Sequence, residues 1–283
     1  MKLRKALDKA KQQRGEAPVA AAPVPEFTMG DNKGVAEGDW QQPIYTDSAR
    51  IELDTPAVVK NRCVCIQPDA LELDSYKVLR TKIQQLTQAR GWNTVMITSP
   101  RSGEGKTLTA INLALTFSKA YNQTVLLVDC DLRRQSIHKT LGFQSETGLG
   151  DYLVDDRPLN EVMIWPGVDK LTLISGGRTI QESTELLGSP RMEDLVHEIK
   201  SRYDDRYVLF DAPPVLGSAD TLALAPCVDS IVMVVEEGTT STRDVQRALE
   251  MLPSEKFLGF VINKQKSGQS ADSAYYLTNQ PVN

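Results

Sequence analysis

The sequence predicts an α/β fold, in which a mostly parallel central sheet is covered by helices on both faces. Short apolar runs alternate along the chain with longer segments whose apolar residues recur at helical spacing. Most of the apolar runs are nearly continuous, as strands buried on both faces must be. The chain has 283 residues, which is long enough to bury the core that such a layered domain requires.

Six strands and four helices account for this pattern. The predicted strands comprise residues 93–98, 124–128, 171–175, 207–210, 230–235 and 257–262. The predicted helices comprise residues 71–89, 106–120, 190–201 and 242–252. Ligands of parallel sheets bind beyond the carboxyl ends of the strands, so functional residues are expected directly after these strands.

Residues 51–264 form the predicted α/β domain, and both ends of the chain differ from it in composition. Residues 1–14 are rich in lysine and arginine and predict a short basic amphipathic helix, which either touches an acidic membrane surface or a partner, or is a solvated end. Residues 15–50 contain proline and glycine without periodicity and predict a flexible linker. Residues 265–283 are polar and predict a flexible tail.

Composition argues against several classes of protein. The net charge of −5 argues against nucleic acid as a partner. The four cysteines show no repeated CxxC spacing, and two histidines are present, which argues against a zinc site. No apolar run approaches the ~18 residues of a membrane-spanning helix, and the amino terminus lacks the apolar core of a signal peptide, so we expect a cytoplasmic protein.

A phosphate-binding loop is predicted between the strand at residues 93–98 and the helix at residues 106–120. The residues predicted to contact the nucleotide are Ser102, Gly103, Glu104, Gly105, Lys106, Thr107 and Leu108. The two glycines let successive backbone N–H groups face an anion, the helix adds the positive end of its dipole, and Lys106 reaches the outer phosphates. The hydroxyl of Thr107 is a predicted ligand of magnesium. The full pattern has glycine where Pro100 stands, so the prediction also depends on the order of strand, loop and helix.

Three carboxylates follow two apolar runs, at the end of the sheet where phosphates are expected. The segment "VLLVDCDLRR" contributes Asp129 and Asp131, and "YVLFDAPP" contributes Asp211. Magnesium is usually held by one or two carboxylates together with waters, and Asp129 and Asp211 meet that requirement. Asp131 is suited to orient a water or to accept the proton of an attacking hydroxyl. Taken singly, an aspartate at a strand end can also be a helix cap or a turn residue.

Four segments resemble the cytoplasmic kinase domain of bacterial tyrosine autokinases that control capsular and exopolysaccharide synthesis. They are "SGEGKT", "LLVDCDLRR", "ELLGSPRM" and "LFDAPPVLGSADTLALAPCVDSIVMVV". The resemblance covers about residues 71–264, and the basic start and linker are similar to those of autokinases from loci with exosortase. These kinases are related to the cell-division and plasmid-partition ATPases, which are P-loop NTPases. The resemblance therefore implies that ATP and Mg²⁺ are the cofactors.

The resemblance also implies roles for individual residues. The implied catalytic residues are Lys106, Asp129, Asp131 and Asp211, with Asp131 activating the acceptor hydroxyl. The implied metal ligands are Thr107, Asp129 and Asp211. Positioning and charge neutralisation supply most of the catalysis in phosphoryl transfer, so these residues form the predicted active site.

Other positions match the family incompletely. Asn263 stands where relatives contact adenine, although it can equally be a polar residue that ends a strand. Arg101 stands where the partition and division ATPases have a signature lysine, and its role is left open. Gln135 replaces a proline, and Glu182-Ser183 replaces an Asn-Pro pair, so the loops nearer the acceptor are expected to differ from those of relatives.

The predicted helix at residues 71–89 carries charges that the resemblance places between subunits. The family motif Glu-x-x-Arg-x-x-Arg is matched by Asp74, Lys77 and Arg80. The apolar residues predicted to face the core are Tyr76, Leu79, Ile83 and Leu86. This leaves the three charged side chains free for a neighbouring subunit, as in a ring-shaped homo-oligomer. The alternative is that they are ordinary surface charges.

The resemblance implies that one subunit phosphorylates tyrosines in the tail of the next. The tail supplies Tyr275 and Tyr276, a shorter run than close relatives often have. The predicted function is an ATP-dependent protein-tyrosine autokinase, peripheral on the cytoplasmic face of the inner membrane and activated by a membrane polysaccharide chain-length regulator. The alternative is an ATP-switched assembly ATPase that acts on the same membrane partner without significant tyrosine transfer. A partition-type ATPase is disfavoured by the acidic charge and by Arg101.

Overall fold

The structure is a computed structural model that describes residues 49–202 and 205–265. The predicted basic helix at residues 1–14 and nearly all of the predicted linker lie outside the described residues, as does the tail with Tyr275 and Tyr276. None of the helices in the described part combines the length and the apolar composition needed to cross a bilayer.

Eight strands form one sheet at the centre of the fold. In chain order they are β1 (Ala49–Arg50), β2 (Thr94–Thr98), β3 (Thr124–Asp129), β4 (Met163–Trp165), β5 (Leu171–Ile174), β6 (Arg206–Asp211), β7 (Ser230–Glu236) and β8 (Phe257–Asn263). Their order across the sheet is β1-β4-β5-β3-β6-β2-β7-β8. All neighbouring pairs are parallel except β4 with β5, which confirms the predicted mostly parallel sheet.

All six predicted strands are present, with small shifts at their ends. β3 and β6 each extend to include their aspartate, so Asp129 and Asp211 occupy the last strand positions. β1 and β4 were not predicted, because strands of two and three residues are too short to show a periodicity.

Ten α-helices connect and cover the strands in the described part of the chain. They are α1 (Thr55–Lys60), α2 (Leu73–Thr87), α3 (Lys106–Ser118), α4 (Ile137–Leu141), α5 (Leu149–Asp155), α6 (Leu159–Val162), α7 (Ser183–Leu187), α8 (Pro190–Ser201), α9 (Asp220–Leu224) and α10 (Thr242–Met251). The four predicted helices correspond to α2, α3, α8 and α10. The other six are too short for a 3.6-residue period to be recognised in the sequence.

The sheet separates two apolar cores, because successive side chains of a strand point to opposite faces. In β3, Leu126 and Val128 join the core under α5, α8 and α10, whereas Val125 and Leu127 join the core under α2 and α3. Beyond its first turn α3 is buried along its whole length. This burial fixes the start of α3, and with it Lys106 and Thr107, relative to the strand ends.

Helix α2 differs from the prediction at two positions. Leu86 was predicted to face the core but is 48% exposed. Arg80 was predicted to be free for a neighbour, but its Nη1 donates a hydrogen bond to the backbone oxygen of Thr116 at 2.7 Å. Thr116 lies in the last turn of α3, where backbone carbonyls lack partners within the helix and favour a cation. The exposed charges of the motif are Asp74 and Lys77, which pair with each other at 2.9 Å.

We predict that Arg80→Ala lowers the free energy of unfolding by about 1 to 3 kcal/mol, because it removes a charged hydrogen bond to the end of α3. Lys77→Ala is the matched control on the same helix and should change stability by less than about 0.5 kcal/mol, because its partner Asp74 is exposed. Urea denaturation of both variants tests this. Equal stability of the two variants would show that the contact of Arg80 with Thr116 does not hold α3.

Candidate active site

The site lies at the carboxyl ends of three adjacent strands, β3, β6 and β2. Asp129 and Asp211 are direct register partners in the parallel pair of β3 and β6. On the other side of β6, Ile97 of β2 pairs with Asp211, and β2 runs into the glycine-rich loop. Strand pairing therefore brings the two predicted carboxylates beside the predicted phosphate loop.

The loop needs glycine at two positions for different reasons. Gly103 and Gly105 have φ angles of +89° and +95°, which side chains rarely adopt. A Cβ atom on Gly103 would meet no neighbour, so its backbone conformation alone demands glycine. A Cβ atom on Gly105 would lie 2.1 Å from Asn263 Nδ2, so a side chain here would also have to displace the Asn263 amide. Ser102 is exposed in the loop, while Leu108 packs against the core beneath it.

The first two residues of α3 contact the carboxylates. Thr107 Oγ1 donates a hydrogen bond to Asp211 Oδ2 at 2.6 Å. Lys106 Nζ lies 3.5 Å from Asp211 Oδ1 and 3.6 Å from Asp131 Oδ2. Four of the residues predicted from three separate motifs thus meet at one point.

Asp129 is fully buried and is held by the backbone of its own loop. Its Oδ1 accepts a hydrogen bond from the amide of Asp131 at 3.1 Å. Its Oδ2 accepts hydrogen bonds from the amides of Ser136 and Ile137, both at 3.1 Å. Asp129 therefore shapes the segment between β3 and α4, which carries Asp131, and Asp211 is the carboxylate that contacts Thr107.

Burial of several carboxylates around one lysine leaves the site with excess negative charge. Burial and the neighbouring Asp211 raise the pKa of Asp129 to about 7, in spite of its backbone hydrogen bonds and Lys106. Burial likewise raises the pKa of Asp211, although Lys106 and Thr107 oppose this. Burial alone would lower the pKa of Lys106, but Asp211, Asp131 and Asp129 together raise it.

These residues fit a magnesium ion. Asp211 Oδ1 is buried and accepts no hydrogen bond from any described residue, so a carboxylate oxygen is available as a ligand. Thr107 supplies a hydroxyl oxygen beside it. Magnesium prefers such hard oxygen ligands and usually takes one or two carboxylates, with waters and phosphate oxygens completing the octahedron.

The end of β8 braces the phosphate loop. Asn263 Nδ2 donates a hydrogen bond to the backbone oxygen of Glu104 at 2.9 Å. The side chain of Glu104 is buried: its Oε2 accepts from the amide of Arg101 at 2.9 Å, and its Oε1 accepts from the Thr240 hydroxyl. The predicted contact of Asn263 with adenine stays a prediction, and its observed partner is the loop itself.

Arg101 is engaged within its own chain. Its Nε and Nη2 donate to the two carboxylate oxygens of Asp244 at 2.8 and 2.9 Å. These bonds, with one from Ser241, lower the pKa of Asp244 to about 2. Asp244 lies in the first turn of α10, where the Ser241 hydroxyl caps the helix by accepting a hydrogen bond from the Asp244 amide at 3.1 Å. The S-x-x-D pattern in the sequence signals this cap, but nothing in the sequence signals its pairing with Arg101.

Two further groups at the site were not predicted. Ser136 Oγ lies 3.0 Å from Thr107 Oγ1. Arg133 Nε donates to Ser183 Oγ at 3.0 Å, and this hydroxyl donates to the fully buried Asp220 at 2.6 Å. Both serines are small polar residues without a motif of their own, so periodicity and spacing give no signal for them.

Gln135, which stands where a proline was expected, has a defined packing role. Its Nε2 donates to the backbone oxygen of Arg178 at 2.9 Å. A Cβ atom on Gly176 would lie 2.5 Å from the Gln135 side chain, so this glycine makes room for it. The glutamine thus ties the loop after β3 to the loop after β5.

Comparison with known proteins identifies relatives over most of the described chain. Residues 92–256 match the family described as the AAA domain. The tyrosine-protein kinase YwqD of Bacillus subtilis is 32% identical over 221 residues, which are 77% of this chain and 92% of that protein. The putative tyrosine-protein kinase EpsB of Ralstonia nicotianae is 34% identical over 185 residues, which are 65% of this chain but 24% of that longer protein.

A solved structure shares the fold. The kinase domain of VpsO superposes with a TM-score of 0.62 at 27% identity, and the alignment covers 69% of this chain and 97% of that domain.

The raised pKa of Asp129 predicts how stability depends on pH. Between pH 3.8 and about 7 the folded chain retains a proton that the unfolded chain has lost, so the folded chain binds more protons and its stability falls as the pH rises. One such proton contributes a slope of at most about 1.4 kcal/mol per pH unit. In EDTA and without nucleotide, Asp129→Asn should flatten this slope, whereas Asp74→Asn, which changes an exposed carboxylate, should leave it unchanged. Urea denaturation at several pH values measures the free energy of unfolding. Equal slopes against pH for wild type and Asp129→Asn would contradict the prediction.

Proposed function

Since the chain belongs to the family of bacterial tyrosine-protein kinases, we propose that it is an ATP- and Mg²⁺-dependent autokinase that phosphorylates Tyr275 and Tyr276 of a second copy of itself. The observation that carries the proposal is the convergence of Lys106, Thr107, Asp131 and Asp211 behind a loop that can enclose phosphates. The proposed setting is exopolysaccharide or capsule synthesis and export.

The nucleotide is bound chiefly by the loop and by the start of α3. Backbone amides around Gly103 and Gly105 face the phosphates, and Lys106, whose side chain is 11% exposed, neutralises charge that builds on the transferred group. A magnesium ion held by Thr107 and Asp211, with Asp129 behind them, supplies further charge neutralisation when it is bound. With nucleotide and cation bound, a phosphate oxygen would replace the carboxylates as the partner of Lys106. The cation would replace Lys106 as the partner of the carboxylates.

Asp131 is the proposed acceptor of the tyrosine proton. Its Oδ1 is occupied by the amide of Arg134 at 3.0 Å, whereas its Oδ2 faces Lys106. The tyrosine oxygen attacks the γ-phosphorus, the bond to the β-phosphate oxygen breaks, and the phenolic proton passes to Asp131 Oδ2. ADP leaves with the β-phosphate oxygen, and the tyrosine keeps the phosphoryl group.

The acceptor tyrosines follow β8 at a distance that suits transfer between subunits. Tyr275 is ten positions beyond residue 265, and a fully extended chain of that length spans at most about 36 Å. Each phosphate adds about −1.5 to −2 charges, so phosphorylated tails of neighbouring subunits repel one another. This provides a cycle of assembly, phosphorylation and separation.

The proposed homo-oligomer, for which a ring is the proposed form, uses α2. Asp74 and Lys77 are the exposed charges of the predicted interface motif on this helix, at 87% and 49% side-chain exposure. Arg80 serves the subunit itself through Thr116, so it supports the interface only by fixing α2 on α3.

We expect Asp74→Lys to reduce the size of the assembly, because it places like charges at the proposed contact. Glu250→Lys, an exposed acidic residue of α10 on the opposite face of the sheet, is the matched control and should leave the assembly unchanged. Light scattering with ADP and Mg²⁺ measures the oligomeric mass. An unchanged mass for Asp74→Lys would remove α2 from the proposed interface.

The proposed partner is a membrane polysaccharide chain-length regulator, which would hold the kinase on the cytoplasmic face of the inner membrane. The support is that the Ralstonia relative carries this domain within a protein about four times as long as the matched part. A cytoplasmic fragment of such a regulator should increase the rate of autophosphorylation. No role for nucleic acid is proposed.

A second function, an ATP-switched assembly ATPase without tyrosine transfer, is favoured by the presence of only two tyrosines in the tail. The two functions differ in the product, which is phosphotyrosine for the kinase and free phosphate for the switch.

We expect purified protein with Mg²⁺ and γ-labelled ATP to become labelled on Tyr275 or Tyr276. Lys106→Met should lower this activity by about 100-fold or more. The double variant Tyr275→Phe/Tyr276→Phe should hydrolyse ATP without becoming labelled. ATP turnover by wild type without phosphotyrosine, even with the partner fragment, would support the switch instead.

A further inference from the structure

Ser136 holds its hydroxyl in an unusual direction for its position. It immediately precedes α4, where a serine hydroxyl ordinarily accepts a hydrogen bond from the first turn of the helix. The Ser136 side chain accepts no such bond. Its oxygen instead lies 3.0 Å from Thr107 Oγ1 at the start of α3. The Ser136 hydroxyl therefore contacts Thr107 at the start of α3 and does not cap α4.

The hydrogen bonds around Thr107 can be assigned from the chemistry of its neighbours. Thr107 gives its single hydroxyl hydrogen to Asp211 Oδ2, which as a carboxylate oxygen accepts. Lys106 Nζ, at 3.2 Å, can only donate to the same Thr107 oxygen. Ser136 is then also a donor to it. Both lone pairs of Thr107 Oγ1, the oxygen that fits a magnesium ion, are thus occupied by Lys106 and Ser136.

Hydrogen bonds of the Ser136 backbone hold its side chain in position. Its amide donates to Asp129 Oδ2 at 3.1 Å, and its carbonyl oxygen accepts from the amide of Thr140 at 2.9 Å. Asp129 itself is the last residue of β3, in the middle of the sheet. Ser136 is therefore attached to a rigid element on one side and to the metal-binding hydroxyl on the other.

We propose that Ser136 is a positioning residue of the divalent-cation site, and that its hydroxyl sets the affinity for the cation but not for the nucleotide. The inference rests on the proposed nucleotide function. Without the cation, Ser136 holds Thr107 Oγ1 in place. With a cation in the place of Lys106 on one lone pair of Thr107 Oγ1, the Ser136 hydroxyl would keep its hydrogen bond to the other lone pair and orient this ligand. Groups in this outer position orient the ligands of a metal and tune its binding.

The test separates cation binding from nucleotide binding, with Mn²⁺ as the probe. Mn²⁺ affinity is measured by electron paramagnetic resonance in the presence of saturating ADP, and ADP affinity is measured by calorimetry in EDTA. Ser136→Ala should weaken Mn²⁺ binding by about 10-fold and change ADP binding in EDTA by less than about twofold. Ser136→Thr retains the hydroxyl and should restore most of the Mn²⁺ affinity.

Ser145 offers a matched control. It is a half-buried serine whose hydroxyl also pairs with another hydroxyl, that of Ser175 at 2.7 Å, and Ser145→Ala should leave Mn²⁺ affinity unchanged. Unchanged Mn²⁺ affinity in Ser136→Ala would overturn the role of Ser136, and so would a loss of ADP affinity in EDTA as large as the loss of Mn²⁺ affinity. Neither result would affect the proposed nucleotide site. Failure of the wild-type protein to bind ADP under either condition would overturn the proposed nucleotide site, and this inference with it.

Discussion

Negative charge buried at the ends of β3 and β6 is the constraint on which the rest of the site depends. Asp129 and Asp211 are register partners with fully buried side chains, and Lys106 compensates only part of their charge. Two carboxylates so placed cannot both ionise at low cost in a medium of low dielectric constant. The proposed divalent cation would lower that cost, and the proposed triphosphate would take over Lys106 as a partner. The buried charge therefore supports the proposal that the site binds a nucleotide together with a metal ion.

The phosphate loop is held in shape by contacts that reach it from the far edge of the sheet. Asn263 binds the loop backbone, Thr240 binds the buried side chain of Glu104, and Asp244 binds Arg101. The three partners lie at the end of β8, in the loop after β7 and at the start of α10, beyond the strand that leads into the loop. The tail with the proposed acceptor tyrosines begins directly after β8. The phosphate loop therefore contacts the chain at Asn263, the last residue of β8.

The positions at which the chain departs from its family are built into contacts of its own. Ser183, from the pair that replaces Asn-Pro, links Arg133 to the buried Asp220, and Thr184 also donates to that carboxylate. Gln135, in place of proline, ties two loops together through the backbone of Arg178. These contacts fix the segment that follows Asp131, the proposed proton acceptor. The contacts of Ser183 and Gln135 lie in the surrounding loops. They do not involve Lys106, Thr107 or Asp211.

The long elements and the candidate residues at the centre of the site could be predicted from the sequence alone. Continuous apolar runs predicted the central strands, helical spacing predicted the four longer helices, and the order of strand, glycine-rich loop and helix predicted the roles of Lys106 and Thr107, because each of these signals is local. Only the tertiary structure decided which groups meet across elements. It turned Arg80 onto α3, paired Arg101 with Asp244, and aimed the Ser136 hydroxyl at Thr107. Such contacts join residues far apart in the chain, and their geometry follows from strand register and helix packing, which no periodicity or spacing in the sequence encodes.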